Sequence, residues 1–138
     1  MTLPYPILPL EKEKWKGHPL PIGYTTNSYY DVTVERTDSG FSVNMVLTDC
    51  SDHPITHTPE EYDFPDKLYE DYRPDSRAYG MVDNDGNLIA AIEIEPEGWS
   101  NRLRVHELWI DDRYHKRGIG HALMNLAKDE ARKNGHRM

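Results

Sequence analysis

Apolar and polar residues alternate along Tyr30, Val32 and Val34. After the turn Thr37-Asp38-Ser39-Gly40 they alternate again at Phe41, Val43, Met45 and Leu47. A period of two marks strands with one apolar face, so this stretch predicts a β-hairpin. A second meander begins at Ala78. Ala78 to Val82 reads as a strand, and Asp83-Asn84-Asp85-Gly86-Asn87 as a hairpin turn. Leu88 to Ile94 is apolar enough for a central strand. Pro96-Glu97-Gly98 is expected to turn the chain, and Leu103 to Ile110 forms the next strand. The period then changes. Ile119, Ala122, Leu123, Leu126, Ala127 and Ala131 follow helical spacing, which predicts a helix from Gly118 to Lys133. Lys133-Asn134-Gly135 supplies the late positive charge and the glycine of a helix end.

Two stretches lack a period. Residues 1–27 are rich in proline and glycine. They read either as an arm wrapped on the domain and anchored by Tyr5 and Trp15, or as a disordered segment. Residues 49–76 are irregular, and Glu60 to Asp75 mixes carboxylates with aromatics. Short helical turns between Pro59 and Tyr72 are limited by prolines. This stretch is either a solvated loop whose tyrosines pack on the sheet or a wall that attracts a polycation. The expected organisation is an N-terminal arm, residues 1–27, and one domain, residues 28–138.

The 138 residues suffice for one modest core. Mean hydropathy is −0.81 and the hydrophobic share 37%, polar for a globular domain but too rich in aromatic and aliphatic runs for disorder. A net charge of −8 disfavours nucleic acid, whose phosphates it would repel, and favours cationic partners or simple solubility. The single cysteine, Cys50, excludes an intrachain disulfide and fits a cytoplasmic location. No apolar run approaches the roughly 20 residues of a membrane span, so no membrane partner is expected.

The turn before the helix carries the candidate chemistry. Gly118 and Gly120 have no side chains, so a ligand can approach the backbone. The first helical turn presents unpaired N–H groups and a partial positive charge. His115, Lys116 and Arg117 add cationic side chains beside it. Together they make a seat for a pyrophosphate. The third glycine of a dinucleotide fingerprint is missing, and so is the Gly-Lys-Ser/Thr of a P-loop.

The run Leu108-Trp109-Ile110-Asp111-Asp112-Arg113-Tyr114-His115-Lys116-Arg117-Gly118-Ile119-Gly120-His121-Ala122-Leu123 resembles the acetyl-CoA-binding motif of the GCN5-related N-acetyltransferases. That motif is a Gln or Arg, two residues, Gly, one residue, then Gly or Ala. The glycines match at Gly118 and Gly120, and His115 departs from the Gln or Arg. The resemblance covers Ala78 to Gly135 well and the first half loosely, where the early hairpin is similar to the streptothricin acetyltransferase branch. It implies an α+β fold: a largely antiparallel sheet with one cofactor-binding helix after the central strand. It also implies acetyl-CoA as co-substrate, with no metal, and a small, cationic amine as acceptor, such as a streptothricin-like antibiotic or a polyamine. Leu108, Trp109 and Ile110 would lie on a splayed strand whose free backbone groups, at Trp109 and Ile110, hold the pantetheine arm. The amides from Lys116 through Ile119 to His121 would hold the pyrophosphate.

A protonated amine must lose a proton before it attacks a thioester, and a carboxylate can take it. On the resemblance Glu107 is the first candidate base, His106 the second and Glu93 the third. An ordinary hydrogen-bonding role is the alternative for each.

The same resemblance implies a further strand, helix and closing strands after Gly135, with a tyrosine acid among them. The expectation is therefore a chain lacking the C-terminal part of the fold. The open edge of strand 103–110 would be completed by a missing C-terminal half or, in a homo-oligomer, by a second copy. Two rivals remain: a non-catalytic acetyl-CoA-binding or assembly module, and an acyltransferase for longer acyl-CoA. Trp109 beside the thioester favours a small acyl group over the latter.

Overall fold

The computed structural model describes residues 2–62 and 65–138; Asp63 and Phe64 of the acidic stretch lie outside the described residues. In chain order the elements are β1 (Leu8–Leu10), α1 (Lys12–Trp15), β2 (Tyr24–Thr26), β3 (Ser28–Thr37), β4 (Gly40–Asp49), β5 (Ile55–His57), β6 (Arg77–Val82), β7 (Leu88–Glu97), β8 (Arg102–Ile110) and α2 (Ile119–Lys133). One 3-10 turn spans Pro59–Glu61 and another Asp112–Tyr114. The chain forms two compact units, one of residues 1–20 with 66–138, the other of residues 21–65.

The first unit is a four-stranded sheet in the order β1-β6-β7-β8, with every neighbouring pair antiparallel. β7 is buried along most of its length because it is flanked on both sides, as its continuous apolar run requires. The apolar stripe of α2 (Ile119, Leu123, Ala127, Ala131) packs on Ala90, Ile92 and Ile94 of β7 and Leu103 of β8. Gly118, in the left-handed region at φ 79°, precedes the helix. Gly135, at φ 72°, follows it. Arg132 and Lys133 in the last turn complement the negative end of the dipole.

The structure adds to the sequence reading in two places. Leu8–Leu10 becomes an edge strand on β6, while Trp15 is buried and Tyr5 packs against the core. β7 runs on through Pro96 to Glu97, where a turn was expected. Past Ile94, β7 pairs among the described residues with β8 alone, and a proline is tolerated on such an edge.

The second unit holds the β3–β4 hairpin, in register from Ser28↔Asp49 to Thr37↔Gly40, and the short antiparallel β2–β5 pair. No helix among the described residues is long and apolar enough to cross a membrane.

Candidate active site

The apolar residues of β8 on the side of α2 are Leu103, Val105, Leu108 and Ile110, in steps of two, three and two. The step of three is a β-bulge. Ile94 pairs with Val105, Glu93 pairs with Glu107, and His106 is the extra residue between them. Up to Val105 the odd-numbered side chains face α2. After the bulge Leu108 and Ile110 face it, and Glu107 and Trp109 turn to the opposite side of the sheet. His106 also faces that side, with Nε2 2.8 Å from Oε2 of Glu95.

Glu93 and Glu107 therefore lie directly opposite each other across two strands, both buried (0% and 6% exposed). Like charges so placed repel, and a buried carboxylate without a partner is costly. Arg73 resolves the conflict. Itself 4% exposed, it donates from Nη2 to Oε1 of Glu107 at 2.7 Å and from Nη1 to Oε2 of Glu93 at 3.4 Å. Nη2 also donates to the Tyr72 hydroxyl at 2.8 Å. Two tight turns fix Arg73, which donates its N–H to the Glu70 carbonyl and accepts from Ser76 at its own carbonyl.

Tyr69 completes the cluster. Its backbone is left-handed (φ 58°), which aims its N–H at Oε2 of Glu93, 3.1 Å away. Its hydroxyl donates to the Leu10 carbonyl and accepts from the Ala78 N–H at 2.9 Å, tying β1 and β6 to the same segment. Burial pushes the Glu107 carboxyl above its ordinary value; the charges of Asp66 and Glu93 push the same way, and Arg73 opposes them. A carboxylate raised in this manner is suited to accepting a proton near neutral pH.

The other end of β8 leads into the glycine turn. Asp111 caps the first step: Oδ1 accepts from the Arg113 N–H at 3.0 Å, and both carboxylate oxygens hold the Arg113 guanidinium. Arg113 keeps the Asp111 carboxyl below its usual range. Lys116 is left-handed at φ 60°. The first α2 bond beyond the turn is donated by Ala122 to Gly118. Among the described residues, no backbone acceptor takes the N–H groups from Lys116 to His121. They border a cleft of about 350 Å³ lined by Ile110, Tyr114, His115, Lys116, Gly118, Ile119, Gly120 and His121. A Cβ on Gly120 would lie 3.4 Å from Cδ1 of Ile110, so glycine keeps this cleft open toward the strand. Unpaired amides, a helix N-terminus and flanking cations make a seat that fits a pyrophosphate.

The expected site residues thus fall into two groups at the two ends of β8. Glu107 and His106 lie with Glu93 on the carboxylate face. His115, Lys116, Gly118, Ile119, Gly120 and His121 line the cleft, while Arg117 stacks its guanidinium 5.2 Å from the Tyr114 ring. Leu108 is exposed beside a second cleft of about 280 Å³ that includes Met124 and Lys128 of α2.

Two details revise the expected backbone contacts. Asp111 donates its N–H to Ile89 on β7, so by alternation Trp109 also turns its backbone groups to β7. The open edge instead carries those of Leu108 and Ile110. The Ile110 carbonyl is itself taken by Nε2 of His115 at 2.8 Å, which folds the loop back on its strand. Among the described residues, the far side of β8 is otherwise paired only at its start. There Leu103 donates to the Arg137 carbonyl and Arg137 donates to Asn101.

Arg73 was not singled out from the sequence. The signal was present in Glu93 and Glu107: a carboxylate within an apolar strand demands a buried cation. His106 likewise pairs with a residue not anticipated, Glu95.

Comparison with known proteins places this geometry. The model of the family described as "Acetyltransferase (GNAT) family" matches residues 44–138. The streptothricin acetyltransferase of Streptomyces lavendulae is 29% identical over 119 residues, covering 81% of this chain and 58% of the relative, so the chain spans little more than half of that protein's length. The crystal structure of nourseothricin acetyltransferase superposes with a TM-score of 0.61 at 27% identity, over 96% of this chain and 69% of that one. A Bacillus anthracis protein crystallised with acetyl coenzyme A superposes at 0.63 over 97% of this chain and 71% of that one, and at 15% identity it shows the shared fold.

Proposed function

The chain belongs to the acetyltransferase (GNAT) family, and from that premise we propose that it takes part in transferring acetyl from acetyl-CoA to a primary amine of a small cationic molecule. The observation that carries this is the two-ended strand β8. One end is a buried carboxylate held by Arg73, and the other opens into a cleft of unpaired amides.

The residues of the cleft fit the proposed co-substrate. The amides of Lys116 to His121 and the Lys116 side chain hold its pyrophosphate, and the open edge at Leu108 and Ile110 receives the extended arm. When bound, acetyl-CoA supplies an acyl group activated as a thioester. The chain's own part is to bind, orient and handle a proton. Glu107 accepts the proton that the ammonium of the acceptor must lose, directly or through one water, and its raised affinity for protons matches that task. Arg73 positions Glu107. His106, hydrogen-bonded to Glu95, stands beside it as the second candidate base. The net charge of −8 attracts a cationic acceptor, either a streptothricin-like antibiotic or a polyamine. A reducing, cytoplasmic setting suits a lone thiol, Cys50. A further strand, from a C-terminal half or from a second copy, covers the open edge of β8 short of Leu108 and leaves Leu108 and Ile110 to the arm.

A second reading is a module that binds acetyl-CoA without turnover. The engagement of His115 with its own strand at Ile110 favours it, because that ring is then withheld from the phosphates. Calorimetric titration with acetyl-CoA, followed by acetyl transfer to streptothricin-type amines and to polyamines, separates the two. Binding plus transfer, with Glu107→Gln retaining binding and losing transfer, supports catalysis. Binding with no transfer to any amine supports the module. Absence of binding overturns both.

A further inference from the structure

The residues proposed for acetyl transfer all lie in the first unit, and the β3–β4 ribbon belongs to the second. On one face of this ribbon Tyr30, Val32 and Val34 stand opposite Leu47, Met45 and Val43, with Phe41 beyond them. These side chains are from 49% exposed (Val43) to 74% exposed (Phe41). A two-stranded ribbon is marginal alone in water, and an apolar face of this length demands a cover. Its other face is more polar, with Asp31, Thr33, Glu35, Ser42, Asn44 and Thr48, and carries two large apolar side chains, Tyr29 and Val46.

We propose that this face is a self-association surface, on which two copies pack ribbon against ribbon, antiparallel about a two-fold axis. The pattern of the face is its own complement. Val32–Met45 is the middle pair. A two-fold axis through it sets the large pair Tyr30–Leu47 of one copy on the small pair Val34–Val43 of the other. The charges follow the same rule. Arg36 lies on this face near the tip and Asp49 on the same face at the base, both exposed. Antiparallel stacking sets the Arg36–Phe41 pair of each copy over the Ser28–Asp49 pair of the other, with Arg36 diagonal to Asp49, whereas parallel stacking would set the two arginines diagonal to each other. Asp49 also accepts from Ser51 at 2.6 Å, which orients it without removing its charge.

The size is adequate. Ten residues per strand give a ribbon about 34 Å long and about 10 Å wide. Two such contoured faces bury on the order of 1,000 Å², the lower range of specific interfaces, so a dimer of micromolar affinity is expected. An anionic lipid surface is disfavoured as the occupant by the chain's net charge of −8.

The test is sedimentation velocity over a concentration series, without acetyl-CoA, with circular dichroism as a check on folding. The wild type should dimerise. Val43→Lys should be monomeric. Arg36→Glu and Asp49→Lys should each weaken the dimer by roughly tenfold or more, because each sets two like-charged pairs in the interface. An equimolar mixture of Arg36→Glu with Asp49→Lys should regain association, since their heterodimer restores both opposite-charge pairs. A wild type that is monomeric throughout overturns the proposal, as does one that floats with anionic vesicles instead of dimerising. A dimer indifferent to all three substitutions, or single variants that fail to recover on mixing, overturns it equally.

Discussion

Replacing Arg73 by methionine keeps most of the stem volume and removes the charge between Glu93 and Glu107. Two buried carboxylates then face each other with no cation. At least one must hold a proton in the folded state at neutral pH. Protonating a carboxylate of ordinary value near 4.3 at pH 7 costs about 1.36 × 2.7, or about 4 kcal/mol. That agrees with the roughly 3–5 kcal/mol lost on breaking a buried pair. The sign with pH is fixed by linkage. In the variant the folded state binds a proton more tightly than the unfolded state, so stability is intact below the unfolded value and falls as pH rises above it. The charge-dependent loss should therefore shrink to about 1 kcal/mol at pH 5. Urea unfolding followed by tryptophan fluorescence, at both pH values for both proteins, measures it. Adding Glu93→Gln and Glu107→Gln to the variant should recover most of the loss at pH 7. An equal loss at both pH values, or a loss under about 1 kcal/mol at pH 7 as for a surface pair, would refute the account.

Three further predictions concern the same sheet. If Glu107 is the base, kcat/KM should fall at low pH along a limb lying above the ordinary carboxylate value, because burial raises this group; Glu107→Gln should abolish the limb and lower the rate by about 10²–10⁴-fold. Gly80→Ala would place a Cβ 2.3 Å from the Ala90 carbonyl oxygen and 2.9 Å from Cδ1 of Leu10, forcing β6 from β7. A loss of about 3 kcal/mol, read as a fall in Tm of roughly 10 °C, is expected, and an unchanged melting curve would contradict it. Tyr69→Phe removes the hydroxyl between Leu10 and Ala78 and should cost about 1–3 kcal/mol, with faster hydrogen exchange at the Ala78 amide; unchanged protection there would count against the bridge.

Much of this architecture was legible in the sequence because burial writes itself as period. The β3–β4 hairpin, the strands from Arg77 to Ile110 and the helix at Ile119 follow alternation or helical spacing. The glycine turn was legible because Gly118 and Gly120 precede an amphipathic run. What escaped has a common cause. β1 is three residues among prolines, too short to show a period. Arg73 sits in an irregular segment, and its role depends on two strands distant in sequence. Trp109 was expected to offer its backbone to a ligand, but the direction in which an edge residue points follows from hydrogen-bond parity, here set by Asp111 and Ile89. The step of three from Val105 to Leu108 did signal the bulge and could have been read.

That extra residue at His106 gives β8 two reading frames. Before it, odd-numbered positions belong to the core, and after it even-numbered ones do. Removing His106 itself would erase the bulge and leave Glu107 still opposite Glu93 and Leu108 still under α2, whereas adding or removing a residue elsewhere in the strand would throw one of the two frames onto the wrong face. A deletion at His106 is therefore tolerable where one at Arg104 or Leu108 is not. An alignment with a relative whose strand is regular must open its gap at His106; one that opens it at Glu107 would match that relative's carboxylate to His106 and move the proton-accepting role to the wrong side chain.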